Sequence, residues 1–156
     1  MTIFELGALG EFIGSIAVVL TIGYLAFQIK QNTAAMKASS HHAITDSFNN
    51  INIAMSQDPQ VARRFRMGSA DLSSLDEDEL GSYSFQSLAY QRIFETLYYQ
   101  RKIGTMEEQL FIAEEKTLRW VVSLPGWREW WRSNPISLSE EYRAYIDRLI
   151  EEETSR

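Results

Sequence analysis

Residues 12–27 read FIGSIAVVLTIGYLAF, sixteen positions without a charged side chain, and this run decides the fold. A helix needs about 20 mainly apolar residues to cross the hydrocarbon of a bilayer. Residues 6–29 supply that length with Glu11 as the one charge among them. A carboxylate near one end of a span reaches the headgroups instead of resting in hydrocarbon, so Glu11 is compatible with crossing. A cleaved signal peptide carries a basic leading region, whereas the first Lys or Arg here is Lys30 and no convincing cleavage site follows promptly. The competing reading is a buried core helix of a soluble protein, which short uncharged runs also fit.

The flanks set the orientation. All fifteen Lys and Arg follow residue 29, while the short N-terminal flank carries Glu5 and Glu11. Basic flanks stay on the cytoplasmic side. The expectation is a transmembrane anchor over 1–29, with the N-terminus outside a bacterial inner membrane, and a cytoplasmic helical domain over 30–156. That domain carries fifteen basic and nineteen acidic side chains, an ordinary soluble surface.

Composition narrows the function classes. A chain of 156 residues holds one domain beside an anchor. It is 45% hydrophobic with eight Gly and three Pro, which excludes disordered and collagen-like chains. The lack of cysteine excludes disulfides, thiolate metal sites and cysteine nucleophiles. A net charge of −6 without a large basic patch argues against a nucleic-acid partner.

Neither Pro nor Gly occurs in residues 24–58, so the anchor helix is expected to run on to about Gln57, roughly 75 to 80 Å at 1.5 Å per residue. Ile44, Phe48, Ile51 and Met55 recur at helical spacing and form one apolar stripe toward the chain's own bundle. Asp58 followed by Pro59 ends that helix and caps a short second one reaching about Gly68. Ser74 with Glu77 reads as a capping box for a helix through Leu80, Leu88, Ile93, Phe94 and Leu97 to Gly104. Thr105 with Glu108 repeats the pattern for a helix through Leu110, Phe111, Leu118 and Val121. Ser123 and Pro125 introduce a short Trp-rich helix, Pro135 breaks it, and Ser139 starts a last one with Tyr142, Tyr145, Ile146 and Leu149. No segment alternates as a strand does. The fold class is all-α: an N-terminal transmembrane helix continuing into a bundle of five or six helices.

Three stretches together carry a resemblance: LGEFIGSIAVVLTIGYLAFQIKQNT at 9–33, QRIFETLYYQ at 91–100 and WREWW at 127–131. The chain resembles an uncharacterised family of bacterial single-pass membrane proteins with an LGEFIG-type anchor helix and a cytoplasmic helical domain. The likeness covers nearly the whole chain. It implies the anchor and brings no activity, substrate or catalytic residue with it.

Candidate chemistry is sparse. Arg92, Glu95 and Tyr99 share one helical face, with Tyr98 beside them, and make either a polar ligand site or a structural network, the commoner use of such a cluster. Glu107, Glu108, Glu114 and Glu115 invite a di-iron reading, but that site needs Glu-x-x-His pairs, and the histidines are the adjacent His41 and His42. Adjacent residues point about 100° apart on a helix, so these two do not form the i, i+4 ligand pair and belong at a surface or interface. No phosphate loop, dinucleotide fingerprint or nucleophile elbow occurs. No cofactor or metal is expected. Trp127, Trp130 and Trp131, flanked by Arg128 and Arg132, suit lipid headgroups or, more simply, a core with arginines at its rim. The acidic run 76–79 complements the dipole of a helix start and calls for no calcium.

Gly7, Gly10, Gly14, Ala17 and Thr21 recur at a seven-residue period, all small. Helices in lipid associate through such faces because their backbones approach closely. The same phase continues through Gln28, Gln31, Ala35, Ala38, His42, Thr45, Asn49 and Asn52, a stripe that is either an interface or merely solvated. The reading is a non-enzymatic, self-associating scaffold or accessory subunit of a membrane complex, whose partners are the bilayer, further copies of itself and a larger membrane assembly. The alternatives are a homo-oligomeric pore lined by the stripe, and a membrane-tethered ligand sensor or enzyme using the face from Arg92 to Tyr99.

Overall fold

A computed structural model describes residues 2–134 and 138–155 of the chain. Pro135, expected to break the Trp-rich helix, lies outside the described residues. Those residues form six α-helices and one 3-10 turn, without a strand among them. They divide into two compact units, Met1–Ser39 and Ser40–Arg156.

Helix α1 (Ile3–Gln57) is uninterrupted, as the lack of Pro and Gly over 24–58 predicts. Its start is closed reciprocally: Glu5 Oε2 accepts from the Thr2 backbone N–H at 2.8 Å and Thr2 Oγ1 from that of Glu5 at 3.4 Å. This pairing quiets donors that a helix start otherwise leaves orphaned. Its end is set by Pro59, which disfavours helical geometry in the residue before it. Asp58 is accordingly extended, and its carboxylate caps α2 (Pro59–Ala70) by accepting from the Gln60 N–H at 2.8 Å.

Two start signals fall elsewhere than the sequence suggests. Ser74 closes the 3-10 turn Leu72–Ser74, donating to the Asp71 carbonyl, while Asp71 accepts from the backbone and hydroxyl of Ser73. Helix α3 (Glu77–Lys102) therefore opens with Asp76 and Glu79 as its capping box, two residues later than the Ser74–Glu77 pair. Its ends carry Glu77, Asp78 and Glu79 first and Arg101 and Lys102 last, as the dipole favours. Gly104, with φ of +76°, supplies the left-handed residue that turns the chain after α3. Helix α4 (Glu108–Ser123) has no side-chain cap. Thr105 donates its hydroxyl back to the Gln100 carbonyl, and Glu108 is taken by Arg101 in a two-pronged pair of 2.6 and 3.1 Å. That charge-assisted fork outcompetes a neutral capping bond. Ser123 likewise belongs to the end of α4, donating to the Trp120 carbonyl, and Pro125 alone starts α5 (Pro125–Ser133). Ser139 caps α6 (Glu140–Thr154) as expected.

Within the second unit one core forms. Trp127, Trp130 and Trp131 are buried together with Tyr83, Leu97, Leu118, Val122, Tyr142, Ile146 and Leu149, so the tryptophans are core residues. Trp127 stacks on Trp131 with centroids 5.4 Å apart, and Trp131 Nε1–H donates to Asp147 at 2.8 Å. Arg128 donates to the Val122 carbonyl and to Thr154, and Arg132 is exposed: both stand at the rim. Ile44 is buried and Phe48, Ile51 and Met55 half-buried. Phe48 meets the Phe94 ring edge-on at 5.3 Å, so this stripe does face the bundle.

Gly126 is where α5 meets α2. A Cβ built there would overlap the Gly68 carbonyl oxygen and come within 3.0 Å of the Asp71 and Leu72 nitrogens. Gly126→Ala is expected to destabilise the domain by roughly 1–3 kcal/mol, since backbone atoms have nowhere to yield. Gly81, in α3 with open space around it, gives the control. Gly81→Ala is expected to stabilise by about 0.5–1 kcal/mol through helix propensity. Chemical denaturation of both variants checks the pair; a neutral Gly126→Ala refutes the tight crossing.

Candidate functional site

The structure brings Arg92 and Glu95 together but leaves Tyr99 apart. Arg92 Nη1 lies 3.5 Å from Glu95 Oε2, and Glu95 Oε1 accepts from the Ser139 backbone N–H at 2.7 Å. Glu95 thus ties α3 to the start of α6. Tyr99 is exposed, edge-on to Tyr98 and with Lys102 Nζ 6.0 Å above its ring. Tyr98 is the inward one: its hydroxyl donates to Glu141 Oε1 at 3.0 Å, and Lys102 holds both oxygens of the same carboxylate. Lys102 and then Tyr98 hold the Glu141 carboxyl below its usual range, while burial foremost pushes the Tyr98 phenol up.

The acidic residues of α4 serve separate purposes. Glu107 flanks the helix start, Glu108 is held by Arg101, and Glu115 joins Glu152 and Glu153 around Arg119 at 2.8 to 3.0 Å. Arg119 therefore ties α4 to α6 through the two carboxylates of Glu152 and Glu153, with Glu115 beside it on its own helix. Glu114 is different: burial raises its carboxyl above the ordinary value, and His41 acts in the opposite direction. The His41 and His42 rings sit 6.2 Å apart on exposed positions.

Sequence reasoning passed over Gln91, the neighbour of Arg92. Gln91 is fully buried, and its Oε1 accepts from the Tyr142 hydroxyl at 2.8 Å. Burial raises the Tyr142 phenol well above its ordinary value, so it stays a donor. The signal was available: Gln91 lies three residues before Phe94 and six before Leu97, on the buried side of α3.

The small-residue stripe is unencumbered. Gly7, Gly10 and Gly14 have no atom within 4 Å of a built Cβ, and Ala17 and Thr21 are exposed. Ser15 and Thr21 donate to carbonyls four residues back, which satisfies their hydroxyls inside the helix. Tyr24 falls in the same phase between Thr21 and Gln28 and breaks the run of small residues. Its hydroxyl accepts from Gln28 Nε2 at 3.1 Å, giving the ring a polar tip. The helix is long and apolar enough to cross a membrane, and its apolar window is unburied. A core helix of a soluble fold would bury that window.

Comparison with known proteins gave no match: no family model, curated protein or solved structure matches the chain.

Glu114 supplies a pH test. A carboxyl raised by folding contributes stability below its unfolded pKa and loses it as pH rises through the folded one. At pH 7 the half-buried carboxylate is thus a liability. Glu114→Gln is expected to raise the thermal midpoint at pH 7 by no more than a few degrees, because partial solvation limits the effect. The difference should close below about pH 4, where wild type is protonated too. An advantage that persists unchanged at low pH assigns the effect to packing instead.

Proposed function

We propose that the chain is a membrane-anchored helical scaffold, or an accessory subunit of a membrane complex, that associates with further copies of itself. The observation carrying this reading is that every side chain from residue 2 to residue 36 is exposed, including Phe4, Phe12, Ile13, Val19, Leu20 and Phe27. Water does not tolerate a continuous apolar surface of that length, so lipid covers it. With all basic residues after 29, the N-terminus lies outside an inner membrane and the domain lies in the cytoplasm.

Self-association follows from what covers the stripe. Lipid tails are as apolar as Leu, so the hydrophobic effect gives helices no reason to pair in a bilayer, and close backbone packing must supply it. Gly7, Gly10, Gly14 and Ala17 permit that approach. The segment after the anchor adds a second reason. Neither Lys30 nor Lys37 has an acidic residue three or four positions away, so no lysine ion pair supports the helix there. A helix polar all round and lacking such pairs is weakly stable unless another surface meets it. Copies inserted with one topology run parallel and in register, which places Ala35, Ala38 and His42 against their counterparts. A straight helix drifts about 20° per heptad, so the stripe stays in contact only if the copies wind left-handed around each other.

A C-terminal tag is expected to be cytoplasmic and the protein to need detergent for extraction. In gently solubilised material, Gly14→Leu should lower the assembled mass, whereas Val19→Leu, away from the stripe, should leave it unchanged. Light scattering of detergent complexes reads both. A monomeric wild type removes the association; labelling of the tag from outside intact cells reverses the topology.

A further inference from the structure

In the second unit α1 and α3 part to leave a groove of about 240 Å³, with Ile44 and Ser47 on one wall and Arg92, Ile93, Thr96 and Gln100 on the other. Arg92, Thr96 and Gln100 follow at four-residue intervals, so they form a row along the groove with roughly 12 Å between its ends. Each hydroxyl has a single proton. Ser47 gives its proton to the Ala43 carbonyl at 2.8 Å and Thr96 to the Arg92 carbonyl at 2.9 Å, which leaves lone pairs only. At the far end Gln100 Oε1 is sealed from solvent and meets no donor. At the near end the half-exposed Arg92 touches Glu95 at a single 3.5 Å contact. Glu95 cannot follow it further, because the Ser139 backbone holds its other oxygen.

The groove therefore offers one cation, then the hydroxyl oxygens of Ser47 and Thr96, and beyond them the Gln100 amide, whose oxygen is covered until that amide turns, with Ile44 and Ile93 as its apolar lining. A molecule that satisfies this order has a carboxylate at one end, a methylene chain, and an ammonium at the other. We propose that the groove binds a short linear amino-carboxylate, its carboxylate on Arg92 and its ammonium on Gln100 Oε1 and the neighbouring hydroxyl oxygens. The terminal torsion of a glutamine is soft, so its carbonyl turns to the ammonium without disturbing the helix. Arg92 presents a fork that a carboxylate matches with two hydrogen bonds. The site uses none of the stripe residues, so it stands or falls separately from self-association.

The test is calorimetric titration of the full chain in detergent with 6-aminohexanoate, beside hexanoate and hexylamine as probes lacking one end. Saturable binding of 6-aminohexanoate is expected, with hexanoate and hexylamine each weaker by about tenfold or more, the scale of one charge-assisted hydrogen bond. Arg92→Ala and Gln100→Leu should each weaken 6-aminohexanoate to a similar degree. Gln100→Leu should not lower the thermal midpoint, because it removes an acceptor that has no partner in the free protein. No saturable binding of 6-aminohexanoate, equal binding of the one-ended probes, or undiminished binding by both variants overturns the proposal.

Discussion

The backbone of α5 rests on that of α2 at Gly126 and Gly68, and the arrangement of the domain follows from that contact. With any larger residue at Gly126 the two helices would stand farther apart. Trp127, Trp130 and Trp131 project from a helix of only nine residues, too short to be stable alone. It is held because Pro125 fixes its first turn and its one apolar face is wholly buried. Truncating a buried tryptophan costs about 3–5 kcal/mol, a large share of the stability of a domain this size. Gly68 is tight on its other side as well: a Cβ there would come within 2.6 Å of Leu75 and 2.9 Å of Tyr83. The crossing thereby sets the turn between α2 and α3 and, through Tyr83, the seating of α3.

Hydroxyls bond back to their own helices in both units, and the second unit adds polar bonds between helices. Along the first unit the hydroxyls of Ser15 and Thr21 turn inward onto carbonyls of their own helix. In the second unit polar side chains also reach between helices: Glu95 to the start of α6, Arg119 to Glu152 and Glu153, and the Tyr142 hydroxyl to the buried Gln91. These bonds are directional, so they select one register among helices that apolar contact alone would let slide.

Features fixed by neighbouring residues were legible from the sequence, and features fixed by distant ones were not. Asp58 before Pro59 ends one helix and caps the next because the proline ring acts on the residue beside it. The phase of Ile44 and Phe48 and the cap at Ser139 are local in the same sense. The capping box at Ser74 and Glu77 failed because Ser74 donates its hydroxyl to the Asp71 carbonyl while Asp76 accepts from the Glu79 N–H, and spacing alone does not rank the two candidate caps. The one at Thr105 and Glu108 failed because Arg101, seven residues from Glu108, claims its carboxylate. The Arg92–Glu95 pair follows from its spacing, whereas the attachment of Glu95 to Ser139 crosses 44 residues and has no local signature. The Gly68 and Gly126 contact is the extreme case, since a glycine reads as a flexible or terminating residue until its neighbour across the core is known.

The groove and the tight crossing are two outcomes of one packing rule. Where glycines let backbones touch, side chains interlock and leave no space: α2 and α5 have no room for a single added carbon. Where bulky rings keep helices apart, their flanks are left open. Phe48 wedges between α1 and α3 against Phe94 and Tyr90, with centroids 5.3 and 6.3 Å away. The helices are propped apart by those rings, and beside them Ile44, a turn before Phe48, and Ser47, next to it, line the space with Arg92, Thr96 and Gln100. A space between a large spacer and small residues persists because closing it would force the rings out of contact. Its walls are also built from α-helix and not from loops, which fixes the spacing of the backbone positions that carry Arg92 and Gln100. Only the soft ends of the two side chains are then left to adjust.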